Sequence, residues 1–342
     1  MIDEGGLFTL VKSRYQIYLS TQSLEQEMKE KSKYSGVILA AGSGSRIKPL
    51  SFSYPKPMLP ICNKPIIQYQ IESIISLNIK EIFIVCGHLK NEIQKYFRDG
   101  LEMGVSIRYI EQEKPLGIAH ALAKVEPYVK TPFLLFLGDI FFITKGLQKM
   151  LDLFENRRAG GILAVKREPN AEYIKRNFAV LLHESGMVKR VVEKPRYISN
   201  DLKGCGVYFF DLPIFDAVRR TPRTAMRDEY EITSSVQILI DDGYPVYPAE
   251  IIEWDANITV MDDLIWANLK MLNFLNQDKV IGKGVRFHRG AKVIHSVIGD
   301  KVVITHPITI RDSVIMPDTK IASRKDINKS LVMKKFSYTL SE

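Results

Sequence analysis

The spacing of hydrophobic positions changes several times along the chain. The first apolar run, "GVILAAG" from Gly36, is continuous, as in a strand covered on both faces. "KPIIQYQIESIISLNI" then predicts a helix, "EIFIVCGH" a strand, "KNEIQKYF" a helix, "SIRYIEQ" a strand, "IAHALAKVEPYV" a helix and "PFLLFLGDI" a strand. Continuous apolar strands alternating with amphipathic helices predict an α/β fold: a Rossmann-like, mainly parallel sheet flanked by helices. Farther on, "FAVLLHESGMVKRVVEKP" reads as a hairpin turning at Glu184-Ser185-Gly186. "GVYFFD" reads as a strand, and "YEITSSVQILIDDG" and "VMDDLIWANLKMLNFL" as helices.

The period shortens near Asn276. "VIGKGVRF" from Val280, "VIGDKVVI" from Val297 and "VIMPDTKI" from Val314 begin 17 residues apart. Paired apolar residues followed by Gly or Pro at so short a period predict a β-solenoid, whose coils bury their side chains against each other. Three unrelated surface strands are the alternative. The pattern therefore divides the chain into a polar extension (1–33), a core domain (34–275), a short solenoid (276–325) and a tail (326–342). The extension, with its charged "SLEQEMKEKSK", is either a disordered arm or an oligomer contact.

Composition narrows the partners. The chain has 342 residues, 46% of them apolar and 25% charged, as in ordinary globular proteins, with a net charge of +9. That charge favours anions: phosphorylated metabolites, nucleic acid or a membrane surface. Cys62, Cys86 and Cys205 are few, odd in number and unlike metal ligands in spacing, so a reducing, cytoplasmic setting is expected. No apolar run approaches the roughly 20 residues of a membrane span, and "MIDEGG" does not resemble a secretion signal. The basic residues are dispersed and no nucleic-acid motif occurs, so neither membrane nor nucleic acid is an expected partner.

The candidate chemistry begins in "LAAGSGSRIKPLSFSYPKPMLPI". Gly42 and Gly44 fit the start of a dinucleotide fingerprint, but Ile47 occupies the third glycine position, and the Gly-Lys-Ser/Thr of a P-loop is missing. A glycine-rich turn after a strand can still form an anion-binding nest. Arg46 adds a forked cation, and Lys56 a second one on a backbone restricted by Pro55 and Pro57. Two cations beside such a loop suit a triphosphate; a tight turn carrying two surface cations is the plainer alternative. Asp139 ends the apolar run "PFLLFLG", at the strand edge where open α/β sheets bind ligands, as a Mg²⁺ ligand or a capping aspartate.

The stretch "LAAGSGSRIKPLSFSYPKPMLPICNKP" closely resembles the signature of the sugar-1-phosphate nucleotidyltransferases. The resemblance continues through "EQEKPLGIAHAL", "LGDI", "VVEKP", "GVYFFD" and "EITS", from residue 36 to about 275. It implies that a nucleoside triphosphate and a sugar 1-phosphate form a nucleotide-sugar and pyrophosphate, with Mg²⁺. It also implies a C-terminal left-handed β-helix like that of some members, and a homo-oligomer. Leu39, Ala40, Ala41, Gly42, Ser43 and Gly44 would line the nucleotide site, Arg46 would hold the β- and γ-phosphates, and Lys56 would sit at the reacting centre. Gln112, five residues before Gly117, would read the edge of uracil or thymine, which favours UTP or dTTP; an exposed strand-end residue is the alternative. Glu193 would hold sugar hydroxyls and Lys194 the 1-phosphate.

Three segments depart from the family pattern. Where members have W-x-D-x-G-T, this chain has "EWDANITVMDDL". The second metal ligand then falls on Ala256 or Asn257 by count, with Asp255 adjacent. Strand alternation puts 255 and 257 on one face and turns Ala256 away, so Asp139, Asn257 and Asp255 are the expected metal set. The usual Y-G-V reads Phe178-Ala179-Val180, and Gly204 replaces a frequent asparagine. An active enzyme is the expected reading. A silent relative that binds nucleotide-sugars is the alternative, prompted by the altered WDAN segment.

Overall fold

The structure, a computed structural model, describes residues 32–340 apart from 43, 226 and 227. The polar extension thus lies almost wholly outside the described residues. The core chain runs β1 (Ser35–Ala40), β2 (Pro60–Ile61), β3 (Lys64–Pro65), α1 (Ile66–Ser76), β4 (Glu81–Cys86), α2 (Lys90–Phe97), β5 (Ser106–Glu111) and α3 (Ile118–Ala123). It continues through β6 (Phe133–Leu137), β7 (Ile140–Thr144), α4 (Gln148–Arg157), β8 (Gly161–Arg167), α5 (Ala171–Lys175), β9 (Phe178–Leu182) and β10 (Val188–Glu193). Last come β11 (Leu202–Phe210), α6 (Ile214–Arg220), α7 (Ile232–Asp241), β12 (Val246–Glu250), β13 (Ile252–Asn257) and α8 (Met261–Phe274).

The main sheet runs β10-β9-β11-β6-β1-β4-β5, with β8 and β12 joined through β11. Strands β6, β1, β4 and β5 are parallel, whereas β11 is antiparallel to β6, β8 and β9. The sheet is therefore parallel at its centre and mixed beyond β11. Both faces are covered, which is why the strands carry unbroken apolar runs. One face packs on α1, α2 and α4 through Ile71, Ile74, Ile93, Phe97, Met150 and Leu151. The other packs on α3, α6 and α7 through Leu122, Ile214, Phe215, Val236 and Leu239. Helix α3 is shorter than the apolar pattern predicts. It ends at Ala123, upstream of Pro127, and proline disfavours helical backbone in the residue before it.

A third core lies beside the sheet. The two-stranded ribbon of β7 and β13 contributes Phe141 and Ile143, α8 contributes Leu264, Ile265 and Leu272, and the loop after β1 contributes Ile47, Leu50 and Leu59. Val297, Val314 and Leu331 enter the same cluster from the C-terminal coils. Helix α8 starts where the Asp263 carboxylate accepts the backbone N–H groups of Thr259 and Val260, each at 2.8 Å.

The C-terminal coils form a parallel β-solenoid, consistent with the expected left-handed β-helix. Val280, Val297, Val314 and Leu331 stack in register on one face. The coil interior is filled by Ile298, Val302, Ile304, Ile308, Ile310, Ile315 and Ile321. Ser296 Oγ accepts the N–H of Ser313 and Ser313 Oγ that of Ser330, both at 3.0 Å and 17 residues apart. Each of these hydroxyls in turn donates to a carbonyl two residues earlier. The solenoid does not stop at 325. Ile327–Asn328 pairs in parallel with the preceding coil, and Ser330–Met333 does the same before turning back on Phe336–Thr339 as an antiparallel hairpin. Residues assigned to a tail are thus a further coil and its cap.

Candidate active site

The carboxyl ends of four parallel strands meet at one edge. Leu39 pairs with Val85 on one side and Leu137 on the other, and Cys86 pairs with both Ala40 and Glu111. From β5 the chain crosses back to enter β6 on the far side of β1, which makes this edge a switch point where ligands bind. The edge is tightly packed. A Cβ on Gly138 would lie 2.8 Å from the Leu39 carbonyl oxygen, and one on Gly87 would lie 2.7 Å from that of Ala41. Leu39, Ala40 and Ala41 are buried and present backbone, whereas Gly42 is exposed. Gly44, at φ +66°, opens the turn Ser45–Ile47. Ser43 lies outside the described residues. Ile47 and Leu50 are fully buried in the third core and so hold the turn from which the exposed Arg46 projects.

Lys56 occupies a short turn between Pro55 and Pro57. Its side chain is 8% exposed, and its Nζ donates to Asp139 Oδ2 at 3.0 Å. A buried ammonium and a partly open carboxylate, 31% exposed, therefore meet at the ends of β1 and β6. Asn257 is next to them along the backbone. It pairs with Ile140, the residue after Asp139, and the Ile258 N–H donates to the Asp139 carbonyl at 3.0 Å. Thr259 Oγ1 donates to Asn257 Oδ1 at 3.2 Å.

Trp254 and Ala256 pack against the third core, so Ala256 is turned away from this site, as strand alternation predicts. The neighbouring Asp255, expected to be a metal ligand beside Asn257, is committed elsewhere. Lys203 Nζ lies 2.8 and 2.7 Å from its two oxygens, and Lys166 Nζ lies 3.7 Å from Oδ1. Lys166 also pairs with Glu168 at 2.8 Å. Lys203 and Lys166 are direct cross-strand partners on β11 and β8, an arrangement of like charges that requires a carboxylate. With side chains 3% and 4% exposed, the Asp255–Lys203 pair is an internal tie.

Gln112, which follows β5, is 5% exposed. Its Nε2 lies 3.4 Å from the Gly117 carbonyl oxygen and 2.8 Å from His120 Nδ1. Gly117 has φ +116°, and a Cβ there would meet the Tyr230 backbone at 2.5 Å, so only glycine fits. The Tyr230 backbone closes on this turn by accepting from the Ala119 N–H and donating to the Leu116 carbonyl. Its ring stacks on His120 with centroids 6.2 Å apart.

Glu193 ends β10 directly opposite Phe178 and accepts a hydrogen bond from Thr233 Oγ1 at 3.2 Å. The exposed Lys194 follows with φ +42°, and its backbone N–H donates to the Asn177 carbonyl. Phe178 is also the cross-strand partner of Gly204, whose missing side chain gives the ring its space: a Cβ there would sit 1.9 Å from it. Pattern reading missed Lys166, Lys203 and His120. A lysine inside the otherwise apolar strand "LKGCGVYFF" is itself a signal of a buried counter-charge, and the imidazole one helical turn beyond Gly117 is a weaker one. Among the described residues no group of three or more His, Cys, Asp or Glu side chains forms a metal cluster, and no helix is long and apolar enough to cross a membrane.

Comparison with known proteins places the chain in a family. The chain is 32% identical over 323 residues to a glucose-1-phosphate thymidylyltransferase of Streptomyces antibioticus, covering 90% of this chain and 87% of the relative. It is 32% identical over 251 residues to the low-salt glycan biosynthesis nucleotidyltransferase Agl11 of Haloferax volcanii, covering 72% and 68%. A Bacillus anthracis crystal structure assigned as a glucose-1-phosphate thymidylyltransferase, in complex with a sucrose, superposes with a TM-score of 0.62 at 25% identity, covering 69% and 94%. Residues 272–338 match the GlmU-like C-terminal hexapeptide family, which accounts for the coils beyond 325. With residues 35–272 matching the nucleotidyl transferase family across the sheet and its carboxyl edge, the chain belongs to that family.

Proposed function

We propose that this nucleotidyltransferase joins a nucleoside triphosphate, UTP or dTTP, to a sugar 1-phosphate, giving the nucleotide-sugar and pyrophosphate. The observation that carries the reading is the buried Lys56 facing Asp139 at the switch point, beside the glycine-rich turn and Arg46. A sugar-phosphate oxygen attacks the α-phosphorus, a P–O bond forms there, and the bond to the β-phosphate oxygen breaks. The nucleophile is already anionic near neutral pH, so the step needs no general base. It needs relief of repulsion, which between two unit charges 4 Å apart is about 4 kcal/mol at an effective dielectric near 20.

The residues divide that task. Backbone from Leu39 to Gly44 cradles the nucleotide, Arg46 takes the β- and γ-phosphates and the departing pyrophosphate, and Lys56 neutralises charge at the reacting centre. Gln112 reads the base, while Glu193 and Lys194 hold the sugar and its phosphate. Asp139 and Asn257, brought to neighbouring backbone positions by the β7–β13 pairing, would supply a carboxylate and an amide oxygen, a hard, oxygen-only donor set. One carboxylate supplemented by substrate phosphates is a usual way of holding Mg²⁺, so these residues fit that ion. When bound, Mg²⁺ neutralises phosphate charge and orients the triphosphate. Asp255 is left out of the set because its charge is spent on Lys203 and Lys166.

The test is a grid of five nucleoside triphosphates (ATP, GTP, CTP, UTP and dTTP) against a panel of sugar 1-phosphates with Mg²⁺, reading pyrophosphate. Turnover with UTP or dTTP is expected. No pyrophosphate from any pair would overturn the reading and leave a binding-only relative.

A further inference from the structure

We propose that His120 determines base specificity by locking the orientation of the Gln112 amide. This inference rests on the reading of Gln112 as the base-contacting residue. A carbonyl oxygen can only accept a hydrogen bond. The Gln112 side-chain atom 3.4 Å from the Gly117 oxygen must therefore be the NH₂ end. That same nitrogen lies 2.8 Å from His120 Nδ1, so Nδ1 must accept and the ring is the neutral Nε2–H tautomer. Both amide hydrogens are then directed at protein acceptors. No described residue donates to Gln112 Oε1.

The imidazole is itself held in place. It lies on helix α3 against the Tyr230 ring, whose backbone is tied to residues 116 and 119. Burial, with a smaller contribution from Lys124, keeps its pKa below the ordinary histidine value, which preserves the neutral, accepting form near pH 7. What Gln112 can offer a base is thus one fixed acceptor. Uracil and thymine present an N3–H donor to it. Cytosine presents a bare N3, and two acceptors would face each other. A glutamine without this lock could rotate its amide and accept either pyrimidine.

The experiment compares kcat/KM for UTP (or dTTP) with that for the matching cytidine triphosphate. His120→Glu retains an acceptor and should keep the parental ratio within about threefold. His120→Lys offers only a donor, draws Oε1 inward and turns the NH₂ outward. It should lower the ratio by about tenfold to hundredfold, the scale of one unpaired polar group at a binding site, while KM for the sugar 1-phosphate stays unchanged. A merely structural role would change both variants alike. Equal ratios in the two variants, or a parental ratio in His120→Lys, would overturn the inference. Gln112→Ala separates the two layers. If it retains the parental preference, the reading of Gln112 fails. If it loses the preference while His120→Lys keeps it, Gln112 reads the base and His120 does not direct it.

Discussion

Replacing Asp255 by alanine distinguishes an internal tie from a metal ligand. The substitution leaves Lys203 without the carboxylate that holds it at 2.7 and 2.8 Å, in a position where its side chain is 4% exposed. Stranding one partner of a buried ion pair costs about 3–5 kcal/mol. The loss expected of Asp255→Ala is of that size, and urea unfolding measures it. Asp255→Ala with Lys203→Met removes the pair together and should recover most of the loss, while the Mg²⁺ concentration for half-maximal activity stays parental. A variant as stable as the parent, or a raised Mg²⁺ requirement at full stability, would refute the reasoning.

Five further outcomes follow from the geometry. Arg46→Ala should lower kcat by about 10²–10³ at saturating triphosphate, the scale for losing one preorganised charge-stabilising group, and Asp139→Asn should nearly abolish pyrophosphate release; near-normal turnover in either would remove it from the site. Gly204→Ala drives a methyl group into Phe178 and should cost about 1–3 kcal/mol, with partial recovery in Gly204→Ala/Phe178→Leu, as read by chemical denaturation. Burial pushes the Cys62 and Cys86 thiols up to about 12 and Cys205 well above its ordinary value. At pH 8 only about one thiol in 10⁴ is then thiolate, so alkylation by iodoacetamide, followed by mass spectrometry, should be about 10³-fold slower than in urea. Truncation after Asn276 uncovers the α8 side of the third core, which also anchors Ile47 and Leu50 behind Arg46; loss of solubility and of activity together is expected by sedimentation and pyrophosphate assay.

Much of the candidate site was legible because its residues sit where local pattern ends. Asp139 follows an apolar strand, Lys56 lies between prolines, and Gly44 and Arg46 punctuate a turn, so their placement needs little beyond strand and turn chemistry. Asp255 was not legible. Alternation correctly put it on the face of Asn257, but the cation that claims it is 52 residues away on another strand. The Gln112–His120 contact depends on how sharply the chain turns at Gly117, which spacing alone does not give. The last coil was hidden for a different reason. "SLVMKKFSYTL" keeps the apolar pair but lacks the glycine or proline that marks the earlier corners.

The serine ladder of the solenoid gives the C-terminal domain a quantised length. Ser296, Ser313 and Ser330 each follow a residue of positive φ, His295, Asp312 and Lys329, so the corner and the hydroxyl recur together. Inserting or deleting a single residue within a coil would turn a serine into the apolar interior and leave a backbone N–H unmatched. Excising residues 297–313 would instead bring Ser296 and Ser330 back to a 17-residue separation, with the closing hairpin carried along intact. Length can therefore change by a whole turn, about 4.8 Å, far more readily than by any fraction of one. The domain is built like a stack of equal washers, whose height is altered by adding or removing one.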